Sequence, residues 1–245
     1  TTLLGGATLR VDDTAAAFQR LGTGTITATG GVLDLIGNNS SVNLSPGSLS
    51  VSQTSLFIKM SGTGNNTFTA QGVTLSNTGS MLDLTGVSGL GSTNKVIFGS
   101  TAGFGLYTGS LYAGSLAVRV AGGDNFLQYD SSNGFVPYTG YSASALNAMV
   151  PTDTGSLTAN TTLNAARTIN ALRLADTVLS GSGATLTLAG GGLLATGSSA
   201  INVRSLTSSS TLYTQVISGA TLTLNSPIVS AQALTKSQDG TLVLN

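Results

Sequence analysis

Apolar and polar residues alternate along most of the chain in short runs, and each run closes on Gly, Asn or Ser. GTITATGG (24–31) is followed directly by VLDLIGNNSS (32–41), VNLSPGS (42–48) and LSVSQTS (49–55), and TFTAQG, VTLSNTGS, MLDLTGVSG, TLTLAGGG and TLTLNS repeat the phrase further on. A period of two sends successive side chains to opposite faces, so each run predicts a short strand with one apolar face, and its closing residues predict a turn. The inward set includes the pairs Leu33 and Leu35, Leu82 and Leu84, Leu186 and Leu188, and Leu222 and Leu224. VLDLIG and MLDLTG are near copies that place Asp34 and Asp83 on outward positions.

Many short strands with small turns suit either an antiparallel sandwich or barrel, or a parallel β-solenoid. Few Asn-Gly or Asp-Gly pairs stand where tight hairpins would need them, which weakens the antiparallel case. The outward positions carry mostly Thr, Ser and Asn. In a solenoid, like residues stack about 4.8 Å apart from coil to coil, and uncharged polar ladders tolerate that spacing whereas like charges repel. The expected fold is therefore all-β, a β-solenoid of about ten coils at roughly 20–25 residues each.

One stretch departs from the rhythm. Aromatic residues concentrate between Phe98 and Tyr141, above all in DNFLQYDSSNGFVPYTGY (124–141), and SASALNAMVPTDTGS (142–156) follows with a break at Pro151. The expected organisation is a first solenoid stretch over 1–122, an aromatic-rich excursion over 123–155, and a second solenoid stretch over 156–245. Phe126, Tyr129, Phe135, Tyr138 and Tyr141 are the candidate interaction surface. They suit a strap packed on the flank of the coil, an anchor for a neighbouring chain, or a sugar-stacking platform.

Composition sharpens this picture. Charged residues make up 7 % of the chain, with 9 Lys and Arg against 9 acids, all of them Asp. Soluble domains usually carry about 25 % charge, so polarity here rests on hydroxyls and amides. The even balance argues against a nucleic-acid or anionic-membrane partner, which would need clustered positive charge. No apolar run long enough for a membrane helix occurs, so membrane insertion by this segment is not expected.

The chain has no His, Cys or Glu, the residues that most often serve as general bases, zinc ligands and activated nucleophiles. No nucleophile elbow and no phosphate-binding glycine loop is present. Asp12 and Asp13 are adjacent, so a strand sends them to opposite faces, where they cannot act as a pair. Asp124 and Asp130 flank NFLQY. A shared calcium ion is one reading of that pair, and capping of turns through backbone N–H groups is the expected one. Neither an enzyme nor a cofactor is expected.

The end of the chain, ALTKSQDGTLVLN, resembles the autotransporter-associated β-strand repeat, whose motif reads Leu-Thr-Lys, a Gly-containing turn, then Gly-Thr-Leu-x-Leu. Leu234, Thr235, Lys236, Gly240, Thr241, Leu242 and Leu244 fall on it, and Gln238 stands where the family has its first Gly. Upstream, TINALRLADTVLSGSGATLTLAGGGLLATGSSAI is similar to the coils that precede the motif, and FLQYDSSNGFVPYTGYS is similar to the family's Tyr-Asp junction. The resemblance implies a right-handed parallel β-helix within a long secreted protein at a bacterial cell surface, acting as a rod, fibre or adhesive stalk. Because further coils follow the motif in that family, the last coils here are expected to meet the first coils of another unit, a further copy or an adjoining repeat. Lateral contact is expected through the aromatic excursion, and the alternative is a carbohydrate-binding module using the same aromatics.

Overall fold

The structure, a computed structural model, describes residues 2–3, 5–15, 21–39, 41–43, 47–52, 55–76, 81–100, 111–112, 116–117, 125–209, 211–230 and 233–245. Asp124 of the calcium reading lies outside them. The chain is an all-β solenoid whose coils stack in parallel, and among the described residues the helical element is a single 3-10 turn at Leu146–Ala148. The coils form two compact units, one ending at Pro137 and the other continuing from Tyr138.

In the first unit three strands make one coil. Ile26–Ala28, Gly31–Asn38 and Ser41–Asn43 are followed by Leu49–Val51, Ser55–Thr63 and Asn66–Ala70, then by Val73–Leu75, Met81–Val87 and Asn94–Phe98. Each strand pairs in parallel with its counterpart one coil later, so that Ile26 lies beside Leu49, Leu33 beside Ile58, and Phe68 beside Val96. Three parallel sheets result, one for each side of the coil. Side chains from all three converge on a shared core that includes Ile26, Leu33, Ile58, Phe68, Leu82 and Val96. A single strand cannot bury its apolar face, but a stacked one can, which is why the alternating pattern folds this way.

The second unit uses the same construction with longer strands that turn corners. Val178–Ala195 runs past one corner and pairs with Ser199–Ser208 and then with Leu212–Val216. Its ladders continue to Thr221–Leu224, Ile228–Ser230, Leu234–Ser237 and Thr241–Leu244, all in parallel. The eight leucines assigned inward from the sequence are all buried.

Coil length varies, as the bonds between successive coils show. The separation is 24 residues from Arg10 to Asp34 and 28 from Asn66 to Asn94 in the first unit. It is 23 from Asn202 to Asn225 and 20 from Asn225 to Asn245 in the second. Turns absorb part of these differences, and register shifts within strands, such as those between Asp83 and Gly86 and between Gly181 and Thr185, absorb the rest.

The stretch read as one excursion is divided. Leu127–Asp130 and Gly134–Pro137 form an antiparallel hairpin that belongs to the first unit, whereas residues from Tyr138 onward belong to the second. Coil stacking has already resumed at Thr154–Leu157, which pairs with Arg167–Leu174.

Candidate interaction surfaces

The outward faces carry ladders of like residues. The Thr187 and Thr207 hydroxyls lie 2.9 Å apart, and those of Thr185 and Ser205 lie 2.8 Å apart. Asn245 Nδ2 donates to Asn225 Oδ1 at 2.6 Å, and Asn225 Nδ2 donates to Asn202 Oδ1 at 2.6 Å, so one amide ladder crosses three coils. An amide stacks well because it offers a donor on one side and an acceptor on the other.

Charge also stacks, where its sign alternates. Arg10, Asp34 and Lys59 occupy successive coils in register, and Arg10 Nη2 meets Asp34 Oδ2 at 2.8 Å. Asp34 and Asp83 hold the outward positions expected of them, yet both are buried, at 8 % and 4 % exposure. The Arg10 side chain, itself largely exposed, shields Asp34.

The five candidate aromatics do not form one platform. Phe126 and Phe135 are buried, at 1 % and 0 % exposure, so neither offers a face to a ligand. Phe135 packs edge-on against Phe98 and Tyr129. The Tyr129 hydroxyl grips the Phe98 backbone: Phe98 N–H donates to it at 2.8 Å, and it donates to the Phe98 carbonyl at 2.6 Å. Burial pushes the Tyr129 phenol above its usual range, a rise partly offset by the backbone bond from Phe98 and reinforced by the neighbouring Asp130 charge. Asp130 Oδ1 accepts from the N–H groups of Ser132 and Asn133 at 2.9 and 2.7 Å, which makes it the cap of the hairpin turn.

Tyr138 and Tyr141 lie in the second unit, half-buried, with ring centres 5.1 Å apart in an edge-on pair. The Arg173 guanidinium sits 5.9 Å from the Tyr141 ring centre, and its Nη1 donates to Ser156 Oγ at 3.0 Å. Ser156 also lines an open cleft of about 370 Å³ together with Ser142, Ser144, Leu146, Met149 and Thr161. The cleft holds hydroxyls and apolar side chains but no charged group.

The residues of the end motif lie on two strands joined by a tight turn. Leu234 stacks on Leu212, Leu242 on Leu222, and Leu244 on Leu224. Gly240 is fixed by close approach, since a Cβ there would lie 2.2 Å from the Ile217 carbonyl oxygen. Gln238 has φ 67°, the left-handed region that glycine enters without strain. Its carbonyl accepts from Lys236 Nζ at 2.5 Å.

Asp12 is exposed and holds the Thr14 N–H and hydroxyl, while Asp13 beside it is buried, so the two do point apart. Among the described residues no three carboxylates, imidazoles or thiolates converge as a metal site would require. Ladders of uncharged polar residues are expected from the sequence, but the particular asparagines that stack and the alternating charges are not, because coil length varies. No family model, curated protein or solved structure matches the chain.

Proposed function

We propose that this chain is a non-enzymatic structural segment of an extracellular protein at a bacterial cell surface, a β-helical rod, fibre or adhesive stalk of the kind that the end motif resembles. The observation that carries the reading is the continuity of the ladders. Aliphatic side chains fill the inside from coil to coil, and Thr, Ser and Asn side chains bond along the outside. Such stacking resists extension without presenting converged reactive groups. The lack of His, Cys and Glu supports the non-enzymatic part.

The partners of this segment are further coils, from adjoining repeats or from further copies of itself. Strands of this chain pair in parallel with strands of their own pattern, as Leu33 does with Leu9 on one side and Ile58 on the other, so coils of that pattern are the partners this stacking fits.

A second reading, a carbohydrate-binding module, has one observation in its favour. The Tyr138–Tyr141 pair, Arg173 and the uncharged hydroxyl-lined cleft share one part of the second unit. A glycan array probed with the wild-type chain and with Tyr138→Ala separates the two. The structural reading expects no glycan above background; a glycan held by the wild type and lost in the variant would replace it.

A further inference from the structure

A parallel sheet leaves an open row of backbone donors and acceptors on its last strand, and such an edge invites another chain to add a strand. Among the described residues of the first unit, Asn94–Phe98 is the last strand of its sheet, with Asn66–Ala70 on one side. Successive residues of a strand aim their backbone groups to opposite sides. Asn66 N–H donates to the Thr93 carbonyl and Gly99 N–H to the Ala70 carbonyl, so residues 93, 95, 97 and 99 face the inner neighbour. Val96 and Phe98 then present their N–H and C=O groups to the open side.

The hairpin closes that side. A Cβ on Gly134 would sit 2.1 Å from the Val96 carbonyl oxygen, a contact that requires glycine and shows how closely the hairpin lies over the edge. The left-handed φ of Gly134, 74°, adds a second reason for glycine there. The Tyr129 hydroxyl takes up both the N–H and the C=O of Phe98. At the hairpin turn, Lys95 Nζ donates to Asn133 Oδ1 at 2.9 Å and to the Ser132 carbonyl at 3.4 Å. The hairpin strands are antiparallel to each other, and among the described residues Asn94–Phe98 is the last parallel strand beneath them.

We propose that this hairpin is an edge guard. It occupies the place that a further parallel strand would take on Asn94–Phe98, and it closes an interaction surface whose natural occupant is a strand from a second copy of this chain. A second copy is the fitting occupant because each coil of the chain already pairs in parallel with strands of the same alternating pattern. Tyr129 is the latch and Lys95 the outer tether. This proposal does not rest on the functional reading, since a chain with any role would need the edge managed.

The test uses the full chain with Tyr129→Phe, which keeps the ring and removes the hydroxyl, and with Lys95→Ala, which removes the side chain that reaches the hairpin turn from the strand. Tyr138→Phe, a hydroxyl bonded to the Gly140 carbonyl in the second unit, is the control. Amide exchange at Phe98 and mass by light scattering at rising concentration are measured for each, with circular dichroism to verify retained strand content. The guard predicts that Tyr129→Phe speeds Phe98 exchange at least tenfold and raises the mass above that of the wild type at equal concentration. Lys95→Ala should move both in the same direction by less, and Tyr138→Phe should move neither. Wild-type exchange and mass in both edge variants would overturn the proposal. Faster exchange without any rise in mass would overturn its second-copy part, and a rise in mass for Tyr138→Phe equal to that for Tyr129→Phe would show that the edge is not the cause. If Tyr129→Phe loses its strand content, the Lys95→Ala result decides in the same way.

Discussion

Gln238 holds a backbone conformation that costs a residue with a Cβ about 1–2 kcal/mol, and its amide Nε2 is buried with no hydrogen-bond partner. Gln238→Gly removes both burdens but loosens the unfolded chain. It should stabilise the second unit by about 1 kcal/mol, measured as a rise in the denaturation midpoint at unchanged slope. Gly240→Ala should do the opposite, because the added methyl meets the Val216 and Ile217 carbonyls and overpacking costs about 1–3 kcal/mol.

Tyr129 gives the one pH-dependent expectation. Its folded-state pKa is raised, chiefly by burial, so the unfolded chain releases that proton first. The associated stability is complete below the ordinary tyrosine value of about 10 and falls as pH rises through and above it. Tyr129→Phe should flatten that part of the alkaline unfolding curve, and an unchanged curve would contradict the burial argument.

At the scale of the element, the strands were legible and their stacking partners were less so. Leu186, Leu188, Leu222 and Leu224 declared themselves because alternation depends only on residues close in sequence. Which polar residues meet depends on coil length, and the separation runs from 16 for Thr154 to Asn170 up to 28 for Asn66 to Asn94. No fixed period could have paired Asn202, Asn225 and Asn245 or brought Arg10 to Asp34. The hairpin was hidden for a different reason. Asn133 and Gly134 mark a turn inside an aromatic cluster, and the cluster suits a strap packed on the coil as well as a surface; the chain packs Tyr129 and Phe135 against Phe98. The outer ladders should contribute modestly. Thr187→Val keeps the shape but leaves Thr207 without that partner, and should cost about 0.5–1.5 kcal/mol, whereas Thr161→Val, whose hydroxyl bonds only locally to the Ala159 carbonyl, should cost less. Equal losses would deny the ladder a role.

On the scale of the whole molecule, each unit is a stack in which a coil is stable because its neighbours cover it. Stability in such arrays sums over coils and their shared interfaces, so damage to one coil should spread along the stack before it spreads along the sequence. Leu33 offers the cleanest place to see this, since it lies in register between Leu9 and Ile58 and is fully buried. Leu33→Ala should cost about 2–5 kcal/mol. The decisive measurement is residue-level amide exchange of that variant. The stacked account predicts that protection falls in Thr8–Asp12 and in Ser55–Thr63, coils before and after, as much as in Gly31–Asn38 itself. Loss of protection confined to Gly31–Asn38 and the turns beside it in sequence would contradict it.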